Sequence, residues 1–513
     1  MFSYLLKKPI FATLGICLLF FITAGIFFDN LIFSSEAVCF IFLSAIFIFC
    51  ASTTFSRYIL LIITLFFFLL FFFFSSPLLL FLSESILVFF IFWQKREEKD
   101  ALAFLVITLS FLFHLYYVQQ TSIDVRQHDL GAVLFYMKEI IETGINFMHF
   151  DPWYLYYFFH QPLHFLIAGY IYLLEIKAWA SEVVALEGLQ YLSLFYVTVS
   201  SIVAYALLKM LFTDKKLICA ALILFSFNPT FLLFSGYISD DAPLLLLSLL
   251  SLFYFVSWQQ TKDLHSIICA ACFFSLGALT KLSIFLFVPA ICLLFAVETF
   301  FPFKRLILNQ ICVFVILAVP LSLIWIMRNH LLFDMPFYNV PDTSPFGQNF
   351  NNLSLWERIL DFKELLTPFI DAPYHVDTNI WLAFIKTEIF GEWRLAQPFS
   401  IAYYIGFILY MLNIFLHLAF LCSAFLILFR LRAKPYKLLL LFFSVIYFTV
   451  FLYSFKYALD YPYVCSTDYR LLAIMHLPSI ILLTAILQNL KKFYLSLSVL
   501  YACLGTIFYL IVI

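Results

Sequence analysis

Long apolar blocks, broken by short polar punctuation, run along almost the whole chain. A helix needs about 20 apolar residues to cross the hydrocarbon layer of a bilayer. On that rule, spans are predicted near 10–28, 37–55, 58–74, 76–93 and 101–118. Others follow near 188–209, 217–236, 242–257, 264–280, 282–298, 306–327, 401–429, 438–455, 471–488 and 494–512. The pattern predicts an all-α polytopic membrane protein with roughly 15 crossings. Glu84 falls inside the fourth span, with no partner to assign to it. Lys7 and Lys8 precede the first block, and no small-residue cleavage site closes it. That end reads as a retained span rather than a signal peptide.

Sidedness follows from the short loops, because cytoplasmic loops retain Lys and Arg. With the N-terminus inside, the cytoplasmic set includes Lys95, Arg96, Lys209, Lys215, Lys216, Lys262, Lys304, Arg305, Arg430, Lys491 and Lys492. The scheme depends on residues 162–176, which must form a juxtamembrane helix on the outer face. If they crossed, Lys209, Lys215 and Lys216 would lie outside. The chain then divides into N-terminal helices of unassigned role (1–98), a core (99–330), an outer-face loop region (331–400) and C-terminal helices (401–513).

Two outer segments are too long to be connectors, 119–187 and 328–400. In the first, Leu130, Val133, Leu134, Met137, Ile140 and Ile141 recur at i, i+3, i+4 spacing. This predicts an amphipathic helix in the interface plane, stopped near Gly144. The second is broken by Pro336, Pro341, Pro345, Pro368 and Pro373. Structureless loops of that length usually serve as lids or binding surfaces.

Composition narrows the class. Hydrophobic residues make up 65% of the chain and charged residues 12%, against about 25% charged in a typical soluble domain. Charges this sparse cannot clothe a globular surface, which excludes a soluble enzyme and a disordered chain. The 29 basic residues do not exceed the 30 acidic ones, so nothing favours nucleic acid. Cysteines are scattered singly, apart from Cys269 and Cys272 in an apolar run. That pair reads as helix packing, and no disulfide framework is implied.

Residues able to do chemistry gather on the outer face. They are Asp124, His128 and Asp129, then His160 and His164, Asp240 and Asp241, Lys281, Arg328, and Asp468 with Arg470. A carboxylate there can take a proton from an attacking hydroxyl. Cations can hold a departing phosphate as its charge grows. A lipid phosphate lying in the bilayer would explain why the site belongs to a membrane protein. Each residue also has a plainer reading. Asp129 can cap the helix starting at Leu130, and Asp240 and Asp241 can simply end a span in water. Lys281 can snorkel to the surface, and Arg328 and Arg470 can anchor at head groups. His160 and His164 stand at ligand-like spacing, yet two histidines alone prove no metal. Shared sidedness is the stronger argument for chemistry.

At these segments the sequence resembles the polyprenyl-phosphate-sugar glycosyltransferases of the GT-C fold. It is closest to the branch holding protein O-mannosyltransferases and the lipid A aminoarabinose transferase. Asp124-Val-Arg-Gln-His-Asp129 stands where that family keeps its catalytic Asp, after a span and before an amphipathic helix. Tyr157-Phe-Phe-His-Gln-Pro-Leu-His164 resembles its His-Pro-Pro-Leu segment, with Gln161 replacing the first Pro. Asn228-Pro-Thr and Ser235-Gly-Tyr-Ile-Ser-Asp-Asp-Ala242 resemble its next outer motif, although Pro243 intervenes before Leu244. Leu276-Gly-Ala-Leu-Thr-Lys281 resembles its lysine hairpin, and Trp325-Ile-Met-Arg-Asn329 its Trp-x-x-Arg-Asn span end. Residues 1–95 match nothing in the pattern.

The resemblance implies a GT-C-type transmembrane helical bundle whose long outer-face loops carry juxtamembrane helices. It implies an inverting glycosyltransferase moving a monosaccharide from a polyprenyl-phosphate donor to an acceptor on the non-cytoplasmic face. Asp129 would be the general base, with Asp124 its substitute. Asp241, with Asp240, would orient the acceptor or bind a divalent metal, which some members use and others do not. Lys281, Arg328, Arg470 and His160 would hold the donor phosphate. The implied partners are the lipid-linked sugar, the bilayer and a glycan, lipid or protein acceptor. The expected setting is the plasma (inner) membrane of a bacterium, ahead of the endoplasmic reticulum membrane. One rival is a transporter or flippase of lipid-linked sugars, which would show inverted repeats with charges or broken helices near mid-membrane. Neither is visible in the sequence apart from Glu84. A polysaccharide polymerase or ligase is the other.

Overall fold

The computed structural model describes residues 100–144, 150–179, 181–300, 304–337, 353–370, 377–429 and 437–513. The four N-terminal spans and Glu84 lie outside the described residues. Within them the elements are helices: α1 (Ala101–Gln120), α2 (Leu130–Thr143), α3 (Leu163–Trp179), α4 (Glu182–Leu211), α5 (Lys215–Ser226) and α6 (Pro229–Gly236). Then come α7 (Asp241–Thr261), α8 (Leu264–Ala278), α9 (Val288–Phe300), α10 (Arg305–Phe333), α11 (Leu355–Leu360) and α12 (Ile380–Phe390). The chain ends in α13 (Ile401–Phe429), α14 (Lys437–Asp460), α15 (His476–Ile486) and α16 (Lys491–Val512). No strand occurs among the described residues. Among the described residues, eight helical stretches are long and apolar enough to cross a membrane, and a bent pair makes a ninth.

Helix starts follow local chemistry. Asp214, Asn228, Asp263 and Asn379 each accept a backbone N–H of the first turn into a side-chain oxygen, satisfying donors that have no partner inside the helix. The amphipathic α2 buries Val133, Tyr136, Met137 and Ile140 and ends at Gly144, where φ is 69°. Only glycine adopts that conformation freely.

Two spans differ from the sequence expectation. The block at 217–236 is not one helix but α5 and α6, bent by 47°. Pro229 lacks an N–H and disfavours helical geometry at the residue before it, and Asn228 is extended, with ψ at 128°. The break is more than a kink, because the buried Glu388 carboxylate sits at it. Glu388 accepts from Asn228 Nδ2 at 2.8 Å and Asn413 Nδ2 at 2.7 Å, and also meets His417. A broken span with a buried charge inside the bundle was therefore present after all. The second difference is α8, whose 15 residues rise only about 22 Å. The C-terminal stretch 473–512 agrees with the expectation, broken at Leu487–Leu490 between α15 and α16. Thr484 Oγ1 lies 3.0 Å from Tyr494 Oη, whereas ten residues of straight helix would separate them by about 15 Å. It makes two passes, as its paired apolar blocks suggested.

The bundle has two chemically distinct ends. At one, Asp100 pairs with Lys209 at 2.9 Å, Asp214 with Lys491 at 2.6 Å and Lys262 with Glu298 at 2.9 Å. These join loops assigned to the same side from charge. The other end carries the outer-face residues. Helix α3 stays there: Leu163 N–H donates to the Leu279 carbonyl, and Tyr172 bonds Glu182 at the start of α4. Gln190 and Ser193, farther along α4, donate to the carbonyls of Gly236 and Tyr237 at the same end. Helix α4 alone then runs on to Lys209. Residues 163–179 form a hairpin arm on α4 and do not traverse the bundle, which keeps the loops in register with the charge pattern.

Candidate active site

Nine ionisable side chains from six separate segments meet at the outer end. Lys281, between α8 and the turn at Leu282–Phe287, reaches Asp240 at 2.9 Å and Asp241 at 2.5 Å. Both acids stand at the start of α7 and are 3% exposed. His160 Nδ1 lies 3.7 Å from the other Asp240 oxygen. Arg470, just before α15, approaches Asp468 at 3.4 Å and Asp129 at 4.0 Å, and its charge is also felt by Asp241 and Glu392. His128 stands between Asp468, at 3.5 Å, and Glu392, at 3.9 Å.

Burial and charge set the protonation states. Burial alone would raise the Asp240 carboxyl, yet Lys281 and His160 hold it below the ordinary range. Lys281 is held above its usual value despite burial, because two carboxylates face it. Burial keeps His128 and His160 low and therefore neutral. Burial also raises Asp468, and it pushes Glu392 up to about 7, with the neighbouring Asp468 charge adding to the effect.

Asp129 does not behave as an ordinary helix cap. It occupies the residue before α2 but its side chain accepts no first-turn N–H, and its φ is 53°. A left-handed conformation at a non-glycine residue costs about 1–3 kcal/mol and persists where the surroundings demand it. Gln127 makes that demand: its side chain donates to the Gly236 carbonyl at 2.7 Å and accepts from Ile238 N–H at 3.0 Å. The 124–129 loop is thus clamped to the segment leading into Asp240. The Asp129 side chain is 44% exposed, turned toward the space in front of Arg470.

The other expected residues fall differently. Asp124 is exposed and bonded to Ser122. Arg328 stacks its guanidinium on Trp325 and Phe333 and donates to Asn329 at 2.6 Å. It flanks the first outer loop, whose Phe158 carbonyl accepts from Trp325. His164 is 1% exposed, with neither ring nitrogen hydrogen-bonded, against the rings of Phe165 and Tyr196. Glu392 was missed by sequence reasoning. It lies in the proline-broken loop read only as a lid, and its local signal is weak, a Gly-Glu-Trp-Arg run after an apolar helix.

Gly391 sets the position of Glu392. It has φ at 63° and ψ at −154°, and an added Cβ would collide with the Trp393 indole. Gly391→Ala is expected to cost about 1–3 kcal/mol from the backbone alone, read as a lower melting temperature of the purified protein. An unchanged melting temperature would mean that this turn is built differently.

Residues 181–327 match the family model described as dolichyl-phosphate-mannose-protein mannosyltransferase. The matched segment contains Asp240, Asp241 and Lys281 and ends one residue before Arg328. No curated protein matches the chain. Among solved structures, the chain is similar to the archaeal oligosaccharyltransferase AglB from Archaeoglobus fulgidus, in complex with an inhibitory peptide and a dolichol-phosphate. That likeness has 13% identity and a TM-score of 0.45, covering 78% of this chain and 55% of that one. The chain thus spans just over half the length of that protein.

Proposed function

We propose that the protein is an integral membrane glycosyltransferase. It transfers a monosaccharide from a polyprenyl-phosphate carrier to an acceptor hydroxyl at the outer end of the bundle. The observation carrying this reading is the uncapped Asp129 carboxylate held 4.0 Å from Arg470, a base beside a cation at the mouth of a buried charge cluster. Asp129 takes the proton as the acceptor oxygen attacks the anomeric carbon. The carbon–oxygen bond to phosphate breaks on the opposite face, so a single displacement inverts the configuration. Arg470, with Lys281 behind it, stabilises the departing polyprenyl phosphate. Asp240 and Asp241 hold Lys281, and His160 lines the same wall.

The broken span at Asn228 and the buried Glu388 favour a second reading, a transporter of lipid-linked sugars. Against it, the Glu388 oxygens are met by Asn228, Asn413 and His417, which suits a tie between helices better than an ion path. Purified protein given radiolabelled polyprenyl-phospho-hexose and candidate acceptors separates the two. Label appearing in a new glycosidic bond is the expected result. Movement of donor across a vesicle membrane without bond formation would overturn the enzyme reading.

A further inference from the structure

The outer cluster is rich in acidic side chains. Asp129, Asp240, Asp241, Glu392 and Asp468 gather around Lys281 and Arg470, and Lys281 is already taken by two acids. A phosphate entering beside them would meet surplus carboxylates in a low-dielectric surrounding, where such repulsion is strong.

His128, Glu392 and Asp468 each offer a ligand atom, and these atoms lie within 4.8 Å of one another. In a tetrahedral site with bonds near 2.1 Å, ligand atoms stand about 3.4 Å apart, so His128 and Asp468, at 3.5 Å, already match. Two atoms in this group have no hydrogen-bond partner: His128 Nε2 and Glu392 Oε1. His128 is only 9% exposed, and leaving such an atom buried and unmatched costs about 1–3 kcal/mol. The Tyr237 and Trp393 rings, at 5.2 and 5.0 Å, fix the imidazole in place.

We propose that His128, Glu392 and Asp468 bind one divalent transition-metal ion. One imidazole and two carboxylates form a nitrogen–oxygen set that suits manganese or zinc better than calcium. Three protein ligands leave an open coordination position, as in catalytic rather than structural sites. Arg470 also approaches Asp468, at 3.4 Å, so its guanidinium stands beside the ligand set. That the position receives a donor phosphate oxygen rests on the proposed function; the binding of the ion does not.

The test uses the full-length protein, purified, stripped with chelator and titrated with Mn2+ in the absence of any donor. Loss of the free-ion paramagnetic resonance signal should show one tight site per chain. His128→Ala and Glu392→Gln should each weaken it by about 10–100-fold or more. His128→Cys should turn the preference from Mn2+ toward the thiol-seeking Cd2+, which a merely structural histidine would not do and which serves if the alanine variant does not fold. No stoichiometric site in the wild type would overturn the proposal. So would affinity unchanged in folded variants, or a site lost in Asp241→Asn but kept in His128→Cys. Tight binding without sugar transfer would sink the glycosyltransferase reading and leave the metal site standing.

Discussion

Asp129→Asn should lower kcat by about 10²–10⁴-fold, the usual worth of a general base, and leave the melting temperature close to wild type. The substitution is chosen because it removes basicity and little else. Asn tolerates the left-handed conformation about as well as Asp, and the Asp129 side chain makes no first-turn hydrogen bond that could be lost. Its contact with Arg470 is long, at 4.0 Å, and half open to solvent, so loss of that pair costs little folding energy. Transfer at the wild-type rate by a folded Asp129→Asn protein would refute the assignment. If Asp124→Asn alone abolished transfer, the base would be the other carboxylate of the loop.

The second large effect falls on stability. Lys281→Ala strands Asp240 and Asp241, both 3% exposed, without the ammonium that lies within hydrogen-bond reach of each. Removing one partner of a buried ion pair costs about 3–5 kcal/mol, because the remaining charge stays uncompensated. The triple variant Lys281→Ala, Asp240→Asn, Asp241→Asn should recover much of that loss, since replacing all members of a buried cluster is far milder than breaking it. Both are read by denaturation of the purified protein. A single variant as stable as wild type would show that the three side chains do not pair, and the lysine would return to a snorkelling role.

Much of the architecture was legible because its signals are local. Apolar runs marked the helices from Ala101 onward. The stripe from Leu130 to Ile141 became α2, and the charge pattern required residues 162–176 not to cross, as α3 does not. Local signals also misled. A hydropathy window reads 217–236 as uniform, since Pro229 is a single residue in an apolar block, and the window cannot register its missing N–H.

Among the site residues, motif and sidedness picked out Asp129, Asp240, Asp241, Lys281, Arg470 and His160, and the fold brings them to one end. Arg328 shared their side but stacks on Trp325 and Phe333. Sidedness confines a residue to a surface about as wide as the bundle, whereas an ion pair needs separations near 3 Å.

From the sequence alone came the membrane-spanning class, the apolar helical blocks and the face on which polar chemistry collects, because each depends on residues close to one another along the chain. The tertiary structure alone decided which charges touch. His128, Glu392 and Asp468 come from three distant segments, and no spacing along a chain encodes a contact that arises only when helix ends pack side by side.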